Sequence, residues 1–180
     1  LVRIERESER MDRLVGELLT LSRLDAGVVG EVERVDTAEL LAGIVDDARF
    51  EGGPSGVIVD FRPGVMPEVM ANPELLHRAI ENVVRNALRY SPSGGVLGIA
   101  AGQAGDTFLI RVNDEGPGVA EDELEAIFKP FHRGESQVAS EGYGLGLAIA
   151  QRIIAAVNGK IWAKRGKPSG LVVCIELPVC

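Results

Sequence analysis

The sequence is poor in the side chains that build metal and redox sites, with two cysteines and two histidines among 180 residues. Cys174 and Cys180 lie near the end with no second pair and no histidine cluster to complete a zinc site, which leaves them as buried or idle thiols. No apolar run approaches the roughly 20 residues that a membrane helix needs, and no signal-peptide pattern opens the chain. The stretch therefore reads as soluble and cytosolic. Positive charge is also short: 19 Lys and Arg against 27 Asp and Glu give a net charge of −8, which argues against general affinity for nucleic acid or anionic membrane. A local basic patch holding a small anion is still compatible with that balance.

Hydrophobic residues make up 46% of the chain, enough for one substantial core with an appendage. The sequence opens at Leu1 with a helical pattern already under way, from which further chain upstream is expected. Residues 1 to 26 place Ile4, Met11, Leu14, Leu18 and Leu21 near heptad spacing between charged residues, which predicts one strand of a helical bundle. The alternative is a helix packed on its own domain. AGVVGE at 26 to 31 ends that helix, so the chain divides into a partial bundle, 1–28, and a main domain, 29–180.

Within the main domain a strand is predicted around Val32 to Val35, a helix from about Thr37 to Phe50, and a strand over 56 to 61. Asn72 and Pro73 signal the start of a helix running to about Tyr90. Strands at 96 to 101 and 107 to 114 flank the turn-forming GQAGD and predict a hairpin. A short helix near Glu121 to Ile127, an irregular stretch from 129 to 144, a helix through LAIAQRIIAAV and strands near 160 to 165 and 171 to 177 complete the pattern.

Three constellations carry chemistry. The first is ENVVRNALRYSP at 81 to 92. At 100° per residue, Arg78, Asn82, Arg85, Asn86 and Arg89 share a stripe about 100° wide, and Leu76, Ile80, Val83, Val84 and Ala87 lie opposite. A solvated face normally takes Glu, Lys and Gln, since each Asn costs a few tenths of a kcal/mol. Two Asn one turn apart offer amide oxygens to a hard cation such as Mg²⁺, and the guanidinium groups suit phosphate oxygens. A plain outer face is the competing reading. The second is VNDEGPGV at 112 to 119, where Asp114 at a strand end precedes Gly116 and Gly118. The glycines admit a flat ligand to the main chain, and a buried carboxylate could take the exocyclic amine of adenine. An ordinary tight turn uses the same residues. The third is EGYGLGLAIAQRI at 141 to 153, in which Gly142, Gly144 and Gly146 lead into a helix whose first amides can hold phosphate. IFKPFHRGESQVAS before it has the length and polarity of a lid or a disordered loop, with Lys129, His132 and Arg133 giving it positive charge. A dinucleotide fingerprint fits poorly, because those glycines follow a first strand in a βαβ unit.

Taken in order, these pieces resemble the catalytic ATP-binding domain of sensor histidine kinases of two-component systems. ENVVRNALRYSP looks like the family's N box, DEGPG its first glycine box, IFKPFHR its F box and GYGLGL its second glycine box. The resemblance covers residues 30 to 180, and the opening helix ending in LLTLSRLDAG resembles the second helix of the dimerisation bundle. RAIENVVRNALRYSP most resembles envelope-stress sensor kinases of the Cpx type. The implied fold is α+β, a two-layer sandwich of the histidine kinase, gyrase and chaperone ATPase type with a mixed sheet, preceded by one bundle helix.

The resemblance implies ATP and Mg²⁺ as cofactors. Asn86 resembles the metal ligand, with Asn82, Arg89 and Tyr90 lining the phosphate and nucleotide side. Asp114 resembles the adenine reader, with Gly116 and Gly118 shaping its pocket. Lys129 and Arg133 would approach the phosphates, Arg133 the γ-phosphate, while Gly142, Gly144, Leu145 and Gly146 form the closing segment. Asn82 and Arg133 are the residues expected to be catalytic. The implied partners are a response regulator receiver domain and a second copy of the chain through the helical bundle, with no nucleic acid. The implied setting is the cytoplasmic portion of a bacterial sensor anchored in the inner membrane through upstream segments.

Hydrolytic members of the wider fold carry a general-base glutamate where this chain has Asn82, so slow ATP hydrolysis is expected. The family phosphorylates a histidine on the first bundle helix. Neither His77 nor His132 sits in that context, so the chain is expected to bind Mg·ATP without phosphorylating itself. Glu141 and Tyr143 stand where smaller or hydroxyl residues are commoner. A nucleotide-binding module that signals by shape, and an anti-sigma-type serine kinase of the same fold, are the alternatives.

Overall fold

A computed structural model describes residues 2–132 and 142–180, with side chains from Ser8 onward. Helix α1 (Val2–Asp25) is followed by β1 (Glu33–Asp36), α2 (Thr37–Gly52), β2 (Ile58–Pro63), β3 (Glu68–Ala71), α3 (Pro73–Tyr90), β4 (Val96–Ala104), β5 (Thr107–Asn113), α4 (Gly146–Ala156), β6 (Lys160–Arg165) and β7 (Leu171–Pro178). The main sheet runs β2-β4-β5-β7-β6 and is mixed, since β2 and β4 are parallel and the other neighbours antiparallel. A second, antiparallel pair joins β1 to β3. This is the two-layer α+β sandwich that the motifs imply.

Alternation builds the sheet's inner face. Leu97, Ile99 and Ala101 on β4, Phe108, Ile110 and Val112 on β5, and Val173, Ile175 and Leu177 on β7 are all buried. Their registers align across the sheet, Ile99 with Val112 and Val112 with Val173. Helices α2, α3 and α4 form the second layer, α3 touching both of the others. Helix α3 buries Leu76, Ala79, Ile80, Val83, Val84 and Ala87, the side opposite its Asn and Arg stripe.

Several elements differ from expectation for local reasons. Ala104 pairs with Thr107, so the hairpin turn contracts to Gly105 and Asp106, with Gly105 at φ 61° as a two-residue turn requires. Strand β3 lies outside the expected pattern, because Val69, Met70 and Ala71 are all apolar and the alternation of burial along it does not show in residue type. In place of the helix near Glu121 to Ile127 there are two 3₁₀ turns, Glu121–Glu123 and Ala126–Phe128, neither with a side-chain cap to propagate an α-helix. Both cysteines are free, and burial pushes the Cys174 thiol up.

Helix α1 divides between its two readings. Leu21 and Leu24 are buried and α1 lies against α4, whereas Met11, Val15, Leu18 and Leu19 are exposed. Arg152 Nε meets Asp25 Oδ1 at 2.8 Å, an exposed ion pair worth about 0–1 kcal/mol. The two leucines contribute about 1.5–3 kcal/mol each and therefore dominate the docking.

Asn72 fixes the entry to α3. Its Oδ1 accepts from the Leu75 N–H at 3.0 Å and its Nδ2 donates to the Glu31 carbonyl at 3.0 Å. Asn72→Ala is expected to lower the unfolding free energy by about 1–2 kcal/mol, read as a lower urea midpoint at unchanged slope. An unshifted midpoint would show that water replaces both bonds without loss.

Candidate functional site

The Asn and Arg stripe of α3 forms one wall of an open cavity, to which Asn82, Arg85, Asn86, Arg89 and Tyr90 contribute. Asn82 and Asn86 are half-buried there because the apolar side of α3 is consumed by the core. Asn82 Nδ2 donates to the Gly146 carbonyl at 3.1 Å, tying α3 to the first turn of α4. Gly146 and Leu147 also line the cavity, so the N-terminus of α4 presents its unpaired amides beside the asparagines.

The far wall is built at the end of β5. Asp114 is 2% exposed, and its Oδ1 accepts from the Gly116 N–H at 2.8 Å and from the Leu171 N–H at 3.2 Å. Among the described residues nothing donates to Oδ2, which is left for a donor in the cavity that Asp114 lines. Gly116 itself stands behind Asp114 rather than on the wall, and a Cβ there would strike the Tyr90 carbonyl. Gly118 does line the cavity, at φ +71° with the Gly170 carbonyl oxygen only 2.7 Å from where a Cβ would lie.

The third wall is the residue run leading into α4. Gly142, Tyr143, Gly144 and Leu145 line the cavity together with His132. Gly144 has φ +72°, and a Cβ would come within 2.6 Å of the His132 carbonyl oxygen, so only glycine closes this junction. The Arg89 guanidinium packs directly on Gly142, which links the α3 wall to the same segment. His132 Nε2 lies 3.7 Å from Glu123 Oε1, outside hydrogen-bond reach.

Ten of the thirteen anticipated residues thus meet in one place: Asn82, Asn86, Arg89, Tyr90, Asp114 and Gly118 with Gly142, Gly144, Leu145 and Gly146. Gly116 supports from behind. Lys129 is exposed and off the wall, and Arg133, like Glu141, lies outside the described residues. Sequence reasoning missed Arg13 and Glu17 of α1, which also line the cavity. Their only signal was position, one turn apart on the face of α1 that carries neither Met11 nor Leu18.

A two-layer sandwich with a buried strand-end aspartate, a polar helix face opposite it and a glycine-rich helix entry defines a nucleotide-site class of ATPase fold. Residues 71–180 match the family described as histidine kinase-, DNA gyrase B- and HSP90-like ATPase, and the chain belongs to that family. The chain is 40% identical over 98% of its length to the sensor protein PfeS of Pseudomonas aeruginosa, covering 39% of that protein. It is 38% identical to the sensor histidine kinase CpxA of Escherichia coli K12, over 99% of this chain and 39% of that one. Among solved structures, full-length ShkA in complex with AMPPNP superposes with a TM-score of 0.85 at 26% identity, covering 99% of this chain and 38% of ShkA. The chain thus spans about two fifths of the length of these relatives, and within the family it is the ATP-binding catalytic domain of the sensor histidine kinase type.

Burial pushes the Asp114 carboxyl up, against the Gly116 and Leu171 N–H groups that favour its charged form. A folded-state pKa above the unfolded one contributes stability that is complete below the unfolded pKa and is lost as pH rises through the folded pKa. Asp114→Asn keeps an oxygen for both amides and does not ionise. Urea unfolding without ligand is expected to show the variant gaining stability relative to the parent as pH rises from the acid range to neutrality. A difference that stays flat with pH would mean the carboxyl titrates alike in both states.

Proposed function

We propose that this chain binds ATP with Mg²⁺ in the cavity and passes the γ-phosphoryl group to a histidine on a bundle helix, for relay to an aspartate of a response regulator receiver domain. The observation that carries the reading is Asp114, whose Oδ1 is tied by two main-chain donors while Oδ2 remains as an acceptor in the cavity. The exocyclic amine of adenine is a donor of the kind that this oxygen needs. AMPPNP bound to the structural relative ShkA supports the same ligand class.

The residues present suit a magnesium-triphosphate group. Among the described residues no cluster of three or more His, Cys, Asp or Glu could hold a metal, so an ion would rest on the Asn86 amide oxygen and on ligand phosphates. That is all-oxygen chemistry, which Mg²⁺ accepts with water completing its shell. Bound Mg·ATP supplies the transferable phosphoryl group with its charge partly neutralised. Asn82 holds the Gly146 carbonyl and so fixes the start of α4, whose amides, with Arg89, would take phosphate oxygens. Tyr90 and Gly118 would flank the base and sugar, Gly116 keeping Asp114 in place behind them. Lys129, just before the cavity-lining His132, and Arg133, just after it, would bring positive charge to the phosphates, Arg133 to the γ-phosphate. Pairing through the bundle is supported by the exposed Met11, Val15 and Leu18 of α1. Receiver docking and inner-membrane anchoring belong to the longer protein that the relatives' lengths suggest, and among the described residues no helix is long and apolar enough to cross a membrane.

Asn82 presents no carboxylate to activate water, which favours a protein acceptor over hydrolysis. His77 is half-buried on α3 and His132 lines the cavity, neither on a bundle helix. Titration calorimetry with AMPPNP and Mg²⁺ is expected to give one site per chain, weakened about tenfold or more by Asp114→Ala, the scale of a hydrogen bond to a charged group. A folded chain that releases no heat would sink the reading. Parent ATP hydrolysis is expected to be slow and Asn82→Glu to raise it about tenfold or more, within the range of a general base. Brisk hydrolysis in the parent, unchanged by the substitution, would remove the kinase preference.

A further inference from the structure

Helix α1 reaches the phosphate end of the cavity with two charged side chains, Arg13 and Glu17. The helix is fastened along its length: Tyr143 Oη donates to the Arg10 carbonyl at 3.0 Å, Arg78 Nη1 donates to Thr20 Oγ1 at 2.7 Å, and Arg152 Nε bonds Asp25 Oδ1 at 2.8 Å. With Leu21 and Leu24 in the core, these ties leave Glu17 little freedom to turn away from the wall of α3.

Glu17 faces a concentration of positive charge without pairing to it. Arg78, Arg13, Arg89 and Arg85 all act on its carboxylate, yet among the described residues no hydrogen bond or ion pair joins Glu17 to any of them. Arg85 forms an exposed ion pair with Glu51 instead, at 3.4 Å. Burial outweighs the four arginines and pushes the Glu17 carboxyl up, so the charge is partly desolvated and incompletely compensated where it stands. A phosphate chain lodged beside Asn82, Asn86 and Arg89 would bring several negative charges to the three of these arginines that line the cavity, Arg13, Arg85 and Arg89. Two anions of this kind in one half-buried space repel each other, and the fixed one must give way or weaken the other.

We propose that Glu17 is an internal competitor for the phosphate chain, so that docking of α1 on the catalytic domain and binding of a nucleoside triphosphate oppose each other. The inference rests on the nucleotide reading of the cavity. Glu17 acts on the phosphates and not on the base, which Asp114 reads at the opposite wall. It therefore selects against occupancy by phosphate while α1 is docked. Linkage makes the effect reciprocal, and a triphosphate loosens α1 to the same extent that docked α1 weakens the triphosphate.

The test compares the whole chain with Glu17→Gln, which keeps the size and shape of the side chain and replaces its charge with a neutral amide. Calorimetry with Mg·AMPPNP is expected to show binding tightened about fivefold or more in E17Q, the lower range of coupling between sites, and adenosine binding unchanged. Arg13→Gln, on the same face one turn away, is expected to weaken AMPPNP and leave adenosine unchanged. Hydrogen exchange supplies the reciprocal readout: AMPPNP should speed exchange of the amides around Leu21 and Leu24 in the parent and not in E17Q. Equal AMPPNP affinity in parent and E17Q overturns the proposal while the nucleotide site stands. Adenosine affinity shifting in step with AMPPNP also overturns it, since the effect would then be a general change in packing. Failure of every ligand to bind a folded parent overturns both readings together.

Discussion

The organisation of the molecule turns on one carboxylate kept out of water at the end of a strand. Removing an ionised group from solvent costs several kcal/mol, and two backbone bonds to Asp114 Oδ1 return only part of it. The bonds come from Gly116, two residues on, and from Leu171 at the start of the neighbouring strand β7. Asp114 also donates its own N–H to the Leu171 carbonyl at 3.1 Å, so carboxylate, turn and strand junction are a single unit. A fold that needed only a turn here would place the side chain in solvent, where it costs nothing. Here it is retained in the interior, with its second oxygen left as an acceptor at the cavity.

The same economy explains α3. Its apolar face is consumed by the core, and its other face combines three arginines, which suit a helix, with two asparagines, which weaken it slightly. Each asparagine costs a few tenths of a kcal/mol, far less than the packing of the six buried side chains opposite, so the helix tolerates the pair. One asparagine spends its amide on the Gly146 carbonyl, which places the start of α4 directly against the polar stripe. The stripe, the helix entry and the aspartate are thereby held by three separate parts of the fold, and a ligand spanning them would be read at both ends.

Much of this was legible from local pattern. The face of α3 followed from the 3.6-residue period, the cap from Asn72 and Pro73, and the meeting of Asn82, Asn86, Asp114 and the glycine run from motifs whose order resembles one family. What escaped was non-local or marginal. Strand β3 does not alternate visibly in residue type, and its pairing with β1 crosses the whole of α2. The turns at 121–128 carry acidic, helix-compatible residues but no cap, and the chain never propagates past 3₁₀ geometry there. Arg13 and Glu17 could not be found from their own segment, because their role arises only from where Leu21 and Leu24 seat the helix.

That seating is what gives α1 two loyalties. Its second half is fixed by buried leucines, while Met11, Val15, Leu18 and Leu19 present apolar surface outward. Burial of Leu21 and Leu24 contributes about 3–6 kcal/mol together, and the exposed ion pair adds at most about 1 kcal/mol. Ordering the helix against the domain consumes a share of this, so the docked arrangement is held by a margin of only a few kcal/mol. A margin of that size is within reach of the binding energy of a polyanion at the arginine wall, since a ligand shifts such an equilibrium by its difference in affinity for the two arrangements. A helix buried by four or five leucines would be beyond that reach, and one held by ion pairs alone would not stay docked long enough to present Glu17 to the site at all.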